Sequence, residues 1–395
     1  MNGVEKGRAP GHGGIVLRGA TAWDIEAARQ GFQARLEALD LGQYAETTMA
    51  VDAGTIRFRL RPDFAWAWAP AGDTMRLCDH LELDTHSKAD DLEREILLAM
   101  LLAPVTFEFP SYAELASAVR IRRNIVEAAR RTALSFHTTE AERPSDYWTY
   151  DEDRGFTILP GKPLIAALRK ATQPDVSGRL YSFSCYRATE YVILLGIAQE
   201  LESSNPSLLR QLQQQWETRA IMSGKFHEVF LREYGSMDAP LPPKYYVPGD
   251  RAWFRNPDEL SSDVTGYEGS WVFYLGGGLF TNFWKRDKPY TLADKCLELY
   301  HWRNATYRDH AGELQIDETI VEERVRATQE DPAEVARILG EMLRLREPQG
   351  VYVDGGCMDT SRECPRWVCP GTADLMLSNV QAVRDCPELK LREGS

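Results

Sequence analysis

Residues 182–201 read SFSCYRATEYVILLGIAQEL, a cysteine that follows a serine and precedes a run that is uncharged and mostly apolar from Tyr191 to Gln199. Ser184 is a good N-cap and puts Cys185 at the first helical position. From Tyr191 to Ala198 the stretch is apolar almost all round, which predicts a helix buried in the middle of a domain. Backbone N–H groups left unpaired at a helix start, and the positive end of the helix dipole, favour an anion there and lower a cysteine pKa. Two readings stand side by side: Cys185 is a nucleophile around which a helix start is built, or it is a buried structural cysteine.

The flanking sequence supplies a context. Downstream, PPKYYVPGDRAWFRNPD (242–258) and GSWVFYLGGGLFTNFW (269–284) are aromatic and β-branched runs broken by Pro and Gly. They predict strands of an antiparallel sheet, with LGGGLF as a hairpin turn. Upstream, SYAELASAVRIRRNIVEAARR (111–131) opens with Ser111 and has Glu114 three residues on. That is a capping box ahead of an amphipathic helix carrying Leu115, Val119, Ile121, Ile125 and Ala129. YWTYDEDRGFTILP (147–160) predicts a short hairpin turning at Asp153, Arg154 and Gly155, and GKPLIAALRKAT (161–172) a short helix. The implied fold class is α/β (α+β), with a helix-borne cysteine beside an antiparallel sheet, the layout of papain-like thiol enzymes.

Outside this centre the patterns differ. Residues 1–90 form a mixed segment, with a helix in TAWDIEAARQGFQARLEALDLG (21–42), strand-like alternation through TIRFRLRPDFAWAWAP (55–70) and a turn at PAGD (70–73). Residues 91–315 form the cysteine-bearing domain. Residues 316–395 begin with charged helical sequence from Ile320 and end in a tail with Cys357, Cys364, Cys369 and Cys386. Those spacings contain no C-x-x-C pair and match no common zinc site.

With 43% hydrophobic and 27% charged residues over 395 positions, the chain has the composition of a soluble globular protein. A net charge of −13 argues against nucleic acid as a partner, because a phosphate backbone repels acidic surfaces. The N-terminus lacks the apolar core of a signal peptide, and YVILLGIA is far short of the roughly 20 residues of a membrane span. Seven irregularly spaced cysteines fit reduced thiols. A cytoplasmic protein is expected, away from membranes.

The middle of the chain resembles the protein-glutamine gamma-glutamyltransferases of bacterial spore coats, small transglutaminases with a papain-like fold. The resemblance lies in APVTFEFPSYAELASAVRIRRNIVEAA, YWTYDEDRGFTILPGKPLIAALRKA, LYSFSCYRATEYVILLGIAQEL, PGDRAWFRNPD and GSWVFYLGGGLF, which recur in that order over roughly residues 93–305. It implies acyl transfer from a protein glutamine to a lysine amine of another protein through a cysteine thioester, with water as an alternative acceptor. It implies no metal and no organic cofactor. Cys185 stands at the family nucleophile. Ser184 stands where the family has a glutamate, Ser270 where it has a second, and Asn282 or Phe283 where it has a histidine.

Substitutes for those acid/base groups are sought nearby. Glu268 lies two residues before Ser270, and residues i and i+2 of an extended strand share a face. Asn282 is able to orient a group or donate to an oxyanion but moves no proton. His301 is the nearest later histidine able to come round on the next element. Catalysis without these groups leaves another reading, a silent relative that keeps the scaffold as a binding or structural module. Cys78, His80 and His86 cluster in sequence without helical spacing for a metal, His227 sits on an amphipathic helix, and the ten tryptophans are read as packing.

Overall fold

Ser184 takes extended backbone, its hydroxyl accepts from the Arg187 N–H, and a helix runs Cys185–Ser204. In the computed structural model, which describes residues 13–50, 54–136, 141–221, 223–346, 355–375 and 377, every side chain of that helix from Ala188 to Ala198 is buried. The apolar run thus sits where its composition requires. The capped helix Tyr112–Arg131 lies along one side of it, burying Leu115, Val119, Ile121, Ile125 and Ala129. The two helices approach closely at Gly196, where an added Cβ would stand 2.6 Å from Ile125 Cγ1 and 3.1 Å from its backbone nitrogen.

On the other side lies a six-stranded antiparallel sheet. Its order is Tyr290–Thr291, Leu279–Phe280, Gly269–Gly276, Arg251–Arg255, Ser361–Pro365, Leu231–Gly235. Strands Arg251–Arg255 and Gly269–Gly276 pair with Trp253 opposite Trp271. Strand alternation sends Phe273 and Leu275 into the large core that holds the cysteine helix. Val272 and Tyr274 point into a second core closed by helices Leu292–Ala305, Glu318–Gln329 and Pro332–Met342. The LGGGLF turn forms as expected, with Gly276, Gly277 and Gly278 all at positive φ and the Gly277 N–H donating to the buried carboxylate of Glu95. The hairpin Trp148–Asp151 with Gly155–Ile158 and the helix Leu164–Thr172 also form.

Two local expectations are corrected, and one element is added. The alternation through residues 55–70 stops at Leu60, and Pro62 opens a helix, Pro62–Trp68. A proline has no N–H for a ladder and fits a first helical turn, so it ends the strand. The capping box at Ser111 is half made. Its hydroxyl accepts from the Glu114 N–H at 3.1 Å, but the fully buried Glu114 carboxylate turns away to accept from the Val368 and Cys369 N–H groups and from Thr372 Oγ1. Finally, the cysteine-bearing tail carries a strand, Ser361–Pro365, which pairs with Leu231–Gly235 along its length and with Arg251 at Glu363.

Sheet pairing also runs across the three segments read from sequence. The N-terminal sheet, ordered Ala45–Ala50, Thr55–Leu60, Gly14–Arg18, Thr106–Phe109, takes its last strand from beyond residue 90, in parallel pairing. Among the described residues, no helix is long and apolar enough to cross a membrane.

Because Gly196 lets the two central helices touch, Gly196→Ala overpacks the contact with Ile125. The gain in helix propensity is offset, and stability falls by about 1–3 kcal/mol. Urea unfolding checks this: a midpoint at or above that of the unchanged protein shows that the helices have room to part.

Candidate active site

Cys185 is the first residue of its helix and half-buried. The backbone N–H groups of Trp271 and Tyr186 meet its sulfur. Burial nevertheless pushes the thiol above its ordinary range; the two N–H groups and the charge of Lys295 pull it down, while the charge of Glu268 pushes it up. The lowered pKa expected from the helix start is therefore corrected. Desolvation of an enclosed sulfur outweighs the dipole, whose effect is confined to a turn and modest in size.

The sulfur faces a cavity of about 620 Å³. Ser270 and Asn282 share it with Cys185, so the structure brings two of the positions singled out from sequence to the nucleophile. Asn282 is buried and engaged: its side-chain oxygen accepts from the N–H groups of Trp284 (3.2 Å) and Lys285 (3.0 Å), and its amide donates to the Lys288 carbonyl (3.1 Å). It shapes the wall as a local side-chain turn.

Glu268 precedes the strand that starts at Gly269 and is exposed, accepting from the Gly266 N–H at 3.1 Å. It does not line the cavity, although its charge reaches the sulfur. His301 is held elsewhere. Its Nε2 bonds Thr328 Oγ1 at 2.8 Å, its Nδ1 faces the Asn304 amide at 2.9 Å, and it packs edge-on to Tyr300. Burial lowers its pKa, with Arg324 and Arg303 acting in the same direction. The helix Leu292–Ala305 presents instead Lys295, Glu298 and Trp302 to the cavity. Their spacing of three and seven residues places them on one helical face. That periodicity in KCLELYHW is the sequence signal for this face, which the lone histidine does not mark.

A buried charged layer supports the helix start. Arg251 is 1% exposed; its Nε bonds Glu363 of the tail strand, one terminal nitrogen reaches Thr189 Oγ1 at 3.3 Å, and its guanidinium lies 4.4 Å from the Trp271 ring centre and 5.1 Å from that of Tyr186. Tyr186 and Trp271 are the two residues whose N–H groups meet the sulfur. His227, on Ser223–Phe230, pairs with the other Glu363 oxygen. Glu190, on the cysteine helix, is fully buried with Arg187 at 2.6 Å on one oxygen and no hydrogen bond on the other.

The other candidates separate. Cys78 is buried while His80 and His86 are exposed. In the tail, Cys357 lies 3.8 Å from Cys296 in the second core, Cys369 reaches the Ala113 carbonyl, and Cys386 falls outside the described residues. Among the described residues no group of three or more His, Cys, Asp or Glu side chains is arranged to hold a metal.

The sequence model of the protein-glutamine gamma-glutamyltransferase family matches residues 75–376. Among solved structures, the chain is similar to a transglutaminase from Geobacillus stearothermophilus determined without its C-terminal extension. That similarity has 20% identity, covers 54% of this chain and 98% of that one, and has a TM-score of 0.36. No curated protein matches.

Burial raises Glu190 to about 7, against the pull of Arg187 and Arg251. A carboxyl whose folded pKa is raised keeps its proton when folded and loses it when unfolded. Its contribution is complete below the unfolded value and lost as pH rises toward 7. Glu190→Gln, which cannot ionise, should therefore gain in melting temperature relative to the unchanged protein as pH goes from 4.5 to 8. A constant difference across that range counts against a buried, proton-holding Glu190.

Proposed function

Because the chain belongs to the protein-glutamine gamma-glutamyltransferase family, we propose that it transfers the acyl group of a protein glutamine to a lysine amine through a thioester on Cys185. The observation that carries this reading is the placement of the family cysteine: at a helix start, touching two backbone N–H groups and open to a cavity large enough for a side chain. The family acts on protein substrates. Papain-like geometry, a protein crosslink as product and a cytoplasmic setting belong to the same proposal.

The steps follow from the groups present. The Cys185 thiolate attacks the glutamine carboxamide carbon, and negative charge moves to the carbonyl oxygen. The Trp271 and Tyr186 N–H groups are donors beside that centre. The C–N bond breaks, and ammonia leaves with a proton. An amine nitrogen then attacks the thioester carbon, the C–S bond breaks, and an isopeptide bond replaces it; water in place of the amine gives glutamate. Glu268 is the carboxylate candidate for taking the proton from the thiol, since its charge reaches the sulfur, and Asn282 shapes the cavity rather than moving protons. No metal or organic cofactor enters these steps.

A second reading, a transglutaminase scaffold retained as a binding or structural module, draws on Asn282. Asn282 or Phe283 stands where the family has its histidine, and Asn282 has its polar atoms engaged by its own loop.

One assay separates the two: incorporation of a fluorescent primary amine into a glutamine-rich protein, with ammonia release measured in parallel. Cys185→Ala should abolish both. Glu268→Gln should lower turnover by about 10²-fold, the usual effect of losing a general acid/base. His301→Ala should leave turnover within a few-fold while lowering the melting temperature, because its Nε2 bond to Thr328 ties two helices together. Neither product from the unchanged protein, over a broad set of glutamine substrates, leaves only the module.

A further inference from the structure

With Asn282 or Phe283 where the family has its histidine, a cation on the wall of the same cavity gains importance, and Lys295 supplies one. We propose that Lys295 is the cationic partner of Cys185, its buried ammonium favouring the thiolate as it forms and giving a proton to the departing ammonia. The inference rests on the acyl-transfer reading for its proton step, but the influence of Lys295 on ionisation of the thiol stands independently of it.

Four cations line the cavity, and burial distinguishes them. Lys285, Lys288 and Arg326 are exposed, and Lys285 is paired with Glu322. Lys295 is 4% exposed. A buried ammonium acts at much lower effective dielectric than a rim charge and is screened far less by salt. It is held in place by an ion pair to Glu298 one turn along, and lies 4.4 Å from the Tyr290 ring centre and 6.0 Å from that of Trp302. These contacts fix the nitrogen without using all three of its donors. Glu298 is in turn held by the Tyr290 hydroxyl at 2.6 Å.

The charges facing the pair come from several elements. Glu268, before the strand Gly269–Gly276, opposes Lys295 at the sulfur. Glu298 lies on the lysine's own helix, Glu318 faces it from the helix Glu318–Gln329, and the Cys357 thiol of the tail also feels its charge. The charge of Lys295 draws the Cys185 thiol down against burial, as a partner cation must.

The proton count closes. Attack by the thiolate on the carboxamide carbon forms the C–S bond. The Lys295 ammonium gives one proton to the amide nitrogen as the C–N bond breaks, so ammonia leaves and Lys295 becomes neutral. The incoming amine attacks the thioester carbon and gives its proton to Lys295, the C–S bond breaks to thiolate, and the ion pair is restored.

The test is the pH profile of Cys185 alkylation by iodoacetamide, followed by mass spectrometry on the full chain, for the unchanged protein, Lys295→Met and Lys295→Arg. The Met variant should move the inflection to higher pH by a unit or more, slowing alkylation at neutral pH about tenfold, because the rate follows the thiolate fraction. The Arg variant keeps the cation and should restore the profile, yet leave amine incorporation low, since a guanidinium gives up no proton. If Lys295→Met fails to fold, Lys295→Gln, which keeps a donor for Glu298, takes its place. A neutral variant whose profile overlays that of the unchanged protein overturns the proposal. A shifted profile in a protein that incorporates no amine leaves the pair standing and removes the acyl-transfer reading instead.

Discussion

Arg251 is the side chain on which the site depends. A guanidinium almost wholly withdrawn from water must be paired, and removing one partner of such a pair leaves an uncompensated buried charge. Its partner, Glu363, arrives from more than a hundred residues downstream on the strand Ser361–Pro365. The rings of Tyr186 and Trp271 lie against the same guanidinium, and their backbone N–H groups are those that meet the Cys185 sulfur. The position of the nucleophile is thus tied to a strand that lies outside the sequence blocks carrying the family resemblance.

Other contacts bind the tail to the centre in the same way. Glu114, on the helix that packs along the cysteine helix, gives its carboxylate to Val368, Cys369 and Thr372. Arg232 and Arg366 converge on Asp374. Glu114 and the half-buried Asp374 satisfy backbone donors that would otherwise be orphaned when the tail packs down, beside the fully buried Cys357, Met358 and Val368. The tail strand and the strand Thr106–Phe109 each join a sheet begun elsewhere in the chain.

Electrostatics at the sulfur are a contest between enclosure and charge. A helix start alone offers an anion modest help, and a sulfur exposed to water would keep that benefit. Here the cavity encloses the thiol, and burial outweighs the charges acting on it, Lys295 drawing its pKa down and Glu268 pushing it up. The same enclosure is what a thioester needs if an amine is to react with it before water does.

Sequence alone determined the parts that rest on short-range rules. Ser184 as cap, Cys185 at the helix start, the buried run to Ala198, the Gly276–Gly278 turn and the aromatic strands at Arg251–Arg255 and Gly269–Gly276 are set by capping, periodicity and turn chemistry, which act within a few residues. Pro62 shows the limit of alternation as a signal, since one ring that fits a helix start overrides a strand pattern. Tertiary structure decided the rest. Glu114 looked like the second half of a capping box, but its carboxylate serves a segment more than 250 residues away. His301 and Lys295 lie six residues apart on one helix, and only packing fixes which of its faces meets Cys185 and which meets Thr328. Ionisation of the thiol depends on how fully the fold surrounds it, a three-dimensional property that the spacing of residues along a chain does not encode.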